Sequence, residues 1–261
     1  MYIESVNNDK IRLWSKLKTK KGRLEQEKFL VEGFRLVEEL LASTIGVDGI
    51  LWDSGTPDLP RQMLDEIERR GIRRYDLSGA AFAAVADTVT PQGVIAIAHL
   101  PQKPAVFPAQ VLVLDGLRDA GNVGTLLRSA DGFRVTEVIC HQGTVDVFAP
   151  KVVRASMGGL FRIAAHNTDA IQYLSKWLER YPEGKVLYAS AAHGTPCDKL
   201  DLCQPTAIVV GSEATGVSPE LAVHCTDAVR IPMSGHTESL NAAMAGSILM
   251  YEMFRQRPDR Y

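Results

Sequence analysis

Apolar positions along the chain fall into two kinds of run. Past residue 110, VLVLDG (111–116), VTEVICH (135–141), KVLYASA (185–191), TAIVVGS (206–212) and AVRIPM (228–233) are short, apolar and rich in β-branched residues. Helical patterns such as DAIQYLSKWLERY (169–181) lie between them. Runs of that length suit strands covered on both faces, and their alternation with helices predicts a largely parallel sheet flanked by helices. Before residue 100 the pattern is more mixed. EKFLVEGFRLVEELLAS (27–43) carries helical periodicity, while VDGILWD (47–53), IRRYDLS (72–78) and GVIAIAHL (93–100) are strand-sized. Between the halves, HLPQKPAVFPAQ places Pro101, Pro104 and Pro108 close together, which disfavours helix and central strand alike. The predicted organisation is a small α/β domain over 1–100, a proline-rich linker over 101–109 and a larger α/β domain over 110–261. No internal repeat or low-complexity tract interrupts it.

The 261 residues are 46% hydrophobic and 23% charged, ordinary for globular domains, and the formal net charge is -2. That balance argues against nucleic-acid binding through overall charge and leaves room for a local patch. One candidate is KIRLWSKLKTKKGR, where Lys10, Arg12, Lys16, Lys18, Lys20, Lys21 and Arg23 occur with no acidic residue among them. Its apolar residues Ile11, Trp14 and Leu17 recur every third position, so an amphipathic helix with a solvated charged side explains the segment as well as phosphate contact does. Cys140, Cys197, Cys203 and Cys225 form no C-x-x-C pair and lie at no close metal-ligand spacing from a histidine, which predicts reduced, buried thiols and no metal site. The N-terminus has no signal-peptide core and no stretch approaches a membrane span, so a soluble, cytoplasmic protein is expected.

In open parallel sheets, ligands gather beyond the carboxyl ends of the strands, and three loops there carry unusual composition. The first, LDGLRDAGNVGTLLRSADGF (114–133), turns from strand to helix near Asn122, a plausible N-cap, with Arg128 off the buried stripe of Val123, Leu126, Leu127 and Ala130. It matches neither G-x-G-x-x-G nor a Walker loop, and alone it reads as a glycine-assisted turn with a surface arginine. In the second, TAIVVGSEATGVSPEL (206–221), Ser218 before Pro219 is a capping signal. Glu213 suits orienting an arginine or a ligand hydroxyl, and equally a solvated loop charge. The third, HTESLNAAMAGSILMYE (236–252), sets Ser239 and Asn241 ahead of a helix whose Ala242, Ala243, Ala245, Gly246 and Ser247 favour close approach of another backbone, within or between subunits. There Ser239 suits a cap, with Asn241 making a second local bond. His141, His193 and His236 lie near strand ends or loops, where structural or solvated roles are expected.

Taken in order, GNVGTLLRSADGF, VVGSEATGVS and IPMSGHTESLNAAMAGSILMYE resemble the three motifs of the SpoU, or TrmH, branch of the SPOUT RNA methyltransferases, and RASMGGLFRIA extends the likeness. KFLVEGFRLVEELL and DTVTPQGVIAIAHL resemble the L30e-like substrate-binding domain that often precedes the catalytic one. The resemblance implies a C-terminal SPOUT domain with a deep trefoil knot, a homodimer formed through that domain, and methyl transfer from S-adenosylmethionine to a ribose 2′-hydroxyl of RNA. Matching motif positions implies catalytic roles for Asn122, Arg128, Glu213, Ser239 and Asn241, and cofactor contacts at Gly211, Ile231 and Leu240, with Ala189 and Met233 beside them. Ribosomal RNA is the expected substrate, recognised by the N-terminal domain and its basic leader; transfer RNA, or a noncatalytic RNA-binding or assembly role on the same fold, are the alternatives. The chain departs from the family pattern at Ser212 and Ala214, where G-N-E-G is common, and at Ala243, where some relatives carry a hydroxyl. A guanidinium is effectively always protonated, so Arg128 suits charge stabilisation and phosphate contact better than general-base chemistry.

Overall fold

In the computed structural model, which describes residues 1–102, 104–235 and 239–257, the chain divides into two compact units. The first comprises Met1–Gln102 together with Phe148–Phe161, the second Lys103–Val147 with Arg162–Tyr261. The expected 110–261 domain thus gives up 148–161 to the first unit. The chemistry of that exchange is visible in its residues: Phe29 packs its ring 5.0 Å from Phe148 and 6.5 Å from Phe161, and Arg154 pairs with Asp87 at 2.8 Å.

The first unit is built on a five-stranded sheet in the order β1 (Tyr2–Ile3), β4 (Arg73–Leu77), β3 (Val47–Asp53), β5 (Val94–His99), β2 (Lys28–Glu32). β5 runs antiparallel to both of its neighbours, and the other pairs are parallel. One segment expected as a continuous helix is divided here. Glu27 adopts a left-handed conformation, Lys28–Glu32 joins the sheet, and helix α3 (Phe34–Leu41) begins only after Gly33, whose φ of 105° turns the chain. Pairing of β2 with β5 outweighs the helical periodicity, because Phe29, Leu30 and Val31 are fully covered in the strand. In the basic leader, α1 (Asp9–Ser15), a 3₁₀ turn (Lys16–Lys18) and α2 (Lys20–Gln26) bury Ile11, Trp14 and Leu17, so the three-residue spacing reports core positions. Helices α4 (Arg61–Arg69) and α5 (Gly79–Val85) complete the layers.

The second unit carries a seven-stranded sheet in which every pairing is parallel: β10 (Thr195–Pro196), β12 (Asp227–Arg230), β9 (Lys185–Ala189), β11 (Thr206–Gly211), β6 (Gln110–Asp115), β7 (Glu137–Cys140), β8 (Ala164–Asn167). Chain order runs outward from β6 through β7 to β8, then returns on the far side of β11. A crevice therefore opens where the order reverses, beyond the paired ends Asp115 and Gly211. Helices α6 (Ala120–Gly132), α8 (Ala170–Arg180), α9 (Pro219–Ala222) and α10 (Ala242–Gln256) cover the sheet, while α7 (Pro150–Ala155) belongs to the exchanged segment. Among the described residues, no helix is long and apolar enough to cross a membrane. The thiols are free, with Cys140 and Cys197 buried, but Cys203 is exposed, against expectation, its thiol donating to the Gln256 carbonyl at 3.0 Å.

The second half of the linker is fastened to this unit by a buried carboxylate. Glu137, 1% exposed, accepts from the Phe107 N–H at 3.0 Å and the Tyr173 hydroxyl at 3.0 Å, and lies 2.9 Å from His166. Trp177 adds a bond from its indole N–H to the Pro108 carbonyl at 2.7 Å. Burial opposes ionisation of Glu137, but the adjoining His166 ring, the Tyr173 hydroxyl and the Val106 N–H together hold its pKa below the usual carboxylate value. A depressed folded-state pKa stabilises the fold above the unfolded-state pKa, and that contribution disappears as pH falls through the folded value. Glu137→Gln is accordingly expected to cost about 2–3 kcal/mol at neutral pH, a loss that shrinks as the pH is lowered into the acid range; denaturant melts of both proteins across pH test this.

Candidate functional site

Three loops meet beyond the strand ends of the second unit. After β6, Asp119 caps α6, its carboxylate accepting from the Asn122 N–H at 2.8 Å, so Asn122 stands in the first helical turn and is not the cap. Its carboxamide is thereby left free for other partners. After β11, the chain closes a tight hairpin: Ser212 and Gly216 exchange backbone bonds of 3.1 and 2.9 Å, and Gly216 has a φ of 70°. A Cβ on Gly211 would lie 2.1 Å from the Gly216 carbonyl carbon, so only glycine lets the strand end touch its own returning loop. This hairpin carries Glu213. Ser218 follows at the start of α9, where its side chain makes no cap bond; its N–H donates instead to the buried Asp115 carboxylate at 2.6 Å. After β12, the chain leads to α10, whose cap is Asn241, with Oδ1 accepting from Ala243 and Met244 at 2.9 and 3.3 Å. Ser239, the expected cap, is exposed outside the helix.

Three of the five motif residues form one chain of hydrogen bonds. Asn241 donates its Nδ2 to Asn122 Oδ1 at 3.1 Å, and Asn122 donates its own Nδ2 to Glu213 Oε1. Each side chain comes from a different loop. Gly246 permits the approach of α10 to α6 on which this depends: a Cβ there would lie 2.4 Å from the Leu126 side chain. Further along the same crossing, the Ser129 and Ser247 hydroxyls meet at 2.7 Å. The small residues of α10 thus serve a crossing within the chain, and Met244, Ile248 and Tyr251 form an exposed stripe on another face of the helix. Arg128 does not join this group. It is exposed on α6, its guanidinium has no hydrogen-bond or ion-pair partner among the described residues, and Glu213 turns to Asn122 rather than to it.

Beside the polar chain lies a cavity of about 330 Å³. Ala189, Gly211, Ile231, Met233 and Leu240 all line it, together with Glu213, Ser239 and Asn241. Val210, Val229 and Leu249 give it apolar walls, and Ser190 and Ala191, which follow Ala189, border it. Ser190 is in turn bonded to His193 at 3.2 Å, and His193 to the Tyr188 hydroxyl at 2.9 Å. His141 accepts from the Ala170 N–H at 3.1 Å, a structural use, and His236 lies outside the described residues. Two carboxylates that the motifs did not single out, Asp115 and Asp119, fix the loops on either side of the crevice. No cluster of potential metal ligands occurs among the described residues. Cys225 lies near this region, but burial and the neighbouring Asp115 push its pKa up to about 12, which leaves it a thiol and a poor nucleophile.

Not every basic residue of the leader reaches solvent. Arg23 is 3% exposed and donates to the Leu17 and Lys18 carbonyls at 2.9 and 3.0 Å, while Lys18 donates to the Ala84 carbonyl at 2.8 Å. Both close helix and loop ends, and neither is presented to a phosphate. Lys10 is half-buried against Tyr75, whereas Arg12, Lys16, Lys20 and Lys21 are exposed.

Because Asn241 both caps α10 and holds Asn122, the two roles are separable. Asn241→Ala is expected to lower stability by about 1 kcal/mol, whereas Asn241→Asp keeps the cap but sets a carboxylate oxygen against Asn122 Oδ1 in place of the Nδ2 donor, and its stability is expected to fall between the alanine variant and the parent. Chemical denaturation of the three proteins measures the difference.

The SpoU rRNA methylase family model matches residues 109–251, and the MRM3-like substrate-binding domain matches residues 8–96. The 23S rRNA (guanosine(2553)-2′-O)-methyltransferase RlmP of Bacillus subtilis is 36% identical over 96% of this chain and 98% of its own length. Among solved structures, the SpoU methyltransferase AviRb from Streptomyces viridochromogenes, in complex with AdoMet, superposes with a TM-score of 0.85 at 26% identity, covering 98% of this chain and all of that one (100%). An AdoMet-bound rRNA methyltransferase from Sinorhizobium meliloti gives a TM-score of 0.83 at 25% identity over 98% of this chain and 97% of its own. With its parallel sheet, its three convergent loops and these matches across both halves, the chain belongs to the SpoU rRNA methylase family.

Proposed function

We propose that this protein transfers a methyl group from S-adenosylmethionine to a ribose 2′-hydroxyl of ribosomal RNA, in the 23S molecule. The observation that carries the reading is the adjoining of a cofactor-sized cavity and the Asn241–Asn122–Glu213 chain. Family membership supports it, as does the AdoMet bound in structural neighbours of full length.

The residues present fit that co-substrate. The cavity combines apolar walls at Val210 and Leu249 with strand-end backbone at Ala189, Gly211 and Ile231, the mixture that binds a flat base and a polar tail, and its volume lies in the range of small-ligand sites. When bound, S-adenosylmethionine supplies a methyl group on a sulfonium, an electrophile that needs no metal. The chain's task is then to present the ribose oxygen in line and to stabilise the charge that develops as its proton leaves. Glu213 and Asn122 hold each other, so their remaining polar atoms are fixed in direction before substrate arrives, and Ser239 offers a hydroxyl at the cavity edge. Arg128, with no acceptor among the described residues, is available to an RNA phosphate and to the developing alkoxide. The exposed stripe of Met244, Ile248 and Tyr251 supports a homodimer through this unit, and the return of the chain to α6 after β12 is in keeping with the family's knotted topology.

Labelled methyl transfer to unmodified 23S rRNA and, separately, to tRNA transcripts tests the reading. Wild type is expected to label the ribosomal transcript, and Arg128→Ala to lose on the order of 10²–10³ in rate while binding S-adenosylmethionine normally, since Arg128 does not line the cavity. Labelling of tRNA alone would overturn the substrate class. Near-normal turnover by Arg128→Lys would contradict a bidentate role for the guanidinium.

A further inference from the structure

At one edge of the first unit, where β2, β3 and β4 begin, a second cavity of about 450 Å³ gathers cations. Lys10, Lys28, Arg70 and Arg73 line it, with Asp48 as the single carboxylate. Lys28 takes Asp48 at 2.9 Å, and Arg70 donates to the Leu41 and Ile45 carbonyls at 2.9 and 3.0 Å, which satisfies its hydrogen bonds without neutralising its charge. Lys10 and Arg73 are bonded differently. Both donate to the same atom, the Tyr75 hydroxyl oxygen, at 3.1 and 3.3 Å.

That arrangement leaves an open valence. Neither an ammonium nor a guanidinium accepts a hydrogen bond, so the two donations occupy the lone pairs of the phenol oxygen and its own O–H must find an acceptor elsewhere. None is present among the described residues. Tyr75 cannot swing away to find one: its ring is buried, 5% exposed, edge-on to Trp14 at 4.9 Å and beneath the Lys10 ammonium at 4.5 Å. Three donors, two of them charged, therefore meet at the phenol oxygen, and the one carboxylate that lines the cleft, Asp48, is paired with Lys28. Arg73 is itself exposed, so the space is open to an incoming ligand.

We propose that this cleft is a phosphodiester-binding site for the RNA substrate, in which Lys10, Arg73 and the Tyr75 hydroxyl grip one backbone phosphate and Lys28 and Arg70 supply the surrounding positive field. The proposal rests on the RNA reading above for its choice of anion. It replaces the inward-turned Lys18 and Arg23 with residues outside the basic leader as partners for Lys10. Phosphate fits the cleft because a tetrahedral oxyanion takes several charge-assisted bonds at once, and contacts of this kind fix register on RNA without reading its sequence.

The test is equilibrium binding of the full chain to an unmodified 23S rRNA transcript over a series of salt concentrations. The double variant Lys10→Gln/Arg73→Gln is expected to bind about tenfold more weakly, with the slope of log affinity against log salt reduced by about 1, as loss of one phosphate contact requires, while its affinity for S-adenosylmethionine is unchanged. Tyr75→Phe keeps the buried ring and both cations but removes the hydroxyl, with its O–H donor and the oxygen that orients Lys10 and Arg73; it is expected to weaken RNA binding about threefold with the salt slope unaltered, and it serves if the double variant fails to fold. Both variants binding within about twofold of wild type with the parental slope would overturn the site. So would displacement of RNA by poly-glutamate as readily as by unlabelled RNA, which would assign the cleft to an acidic polypeptide. Methyl transfer by wild type separates the two readings: a protein that methylates RNA while these variants bind normally refutes the cleft alone, and one that binds RNA through the cleft without methylating it refutes the enzyme.

Discussion

The loops of the second unit are tied together by one chain of two carboxamides and a carboxylate. Asn241, Asn122 and Glu213 come from three loops far apart in sequence, and two hydrogen bonds join them into a single polar surface. The middle residue is held on three sides: Asn122 donates to one neighbour and accepts from the other, while its N–H is held by Asp119. A carboxamide suits that position because it carries a donor and an acceptor together, whereas a carboxylate would only accept. Displacement of any of the three loops would therefore disturb the other two.

Backbone geometry makes this meeting possible. Gly211 lets the end of β11 lie against its own returning loop, and Gly246 lets α10 approach α6; a side chain at either position would collide with atoms closer than real Cβ contacts allow. The parallel sheet supplies the crevice, since reversal of strand order between β6 and β11 parts the crossing connections at Asp115 and Gly211. Fold and site are thus continuous. The glycines and small residues act through closeness, and the polar residues act through what that closeness brings together.

Much of this was legible in the sequence, for identifiable reasons. The buried strands of the second unit announced themselves as apolar runs because both sheet faces are covered, and the three motifs stood at strand ends, where composition changes abruptly. What the sequence did not reveal depends on partners distant along the chain. EKFLVE reads as helix until β5 offers a strand to pair with, and β8 (Ala164–Asn167) is too short and polar to be seen. Capping was misassigned by two or three residues at both α6 and α10, because Asp119, Asn122, Ser239 and Asn241 are all competent caps and only the path of the backbone chooses among them. Charge alone could not separate Arg23 and Lys18, which close carbonyls, from lysines left in solvent. Nor could it join Lys10 to Arg73 and Tyr75, on a strand more than sixty residues further along the chain.

We propose that the three loops act as one catalytic surface rather than as separate contributors. A double-mutant cycle on labelled methyl transfer to 23S rRNA, using Asn122→Ala, Asn241→Ala and the pair, tests it most directly. If the residues form one unit, the double variant will be little slower than the slower single variant, because the first substitution already releases what the second would remove. Rate losses that multiply would contradict the account and show that Asn122 and Asn241 serve the reaction independently, their hydrogen bond notwithstanding.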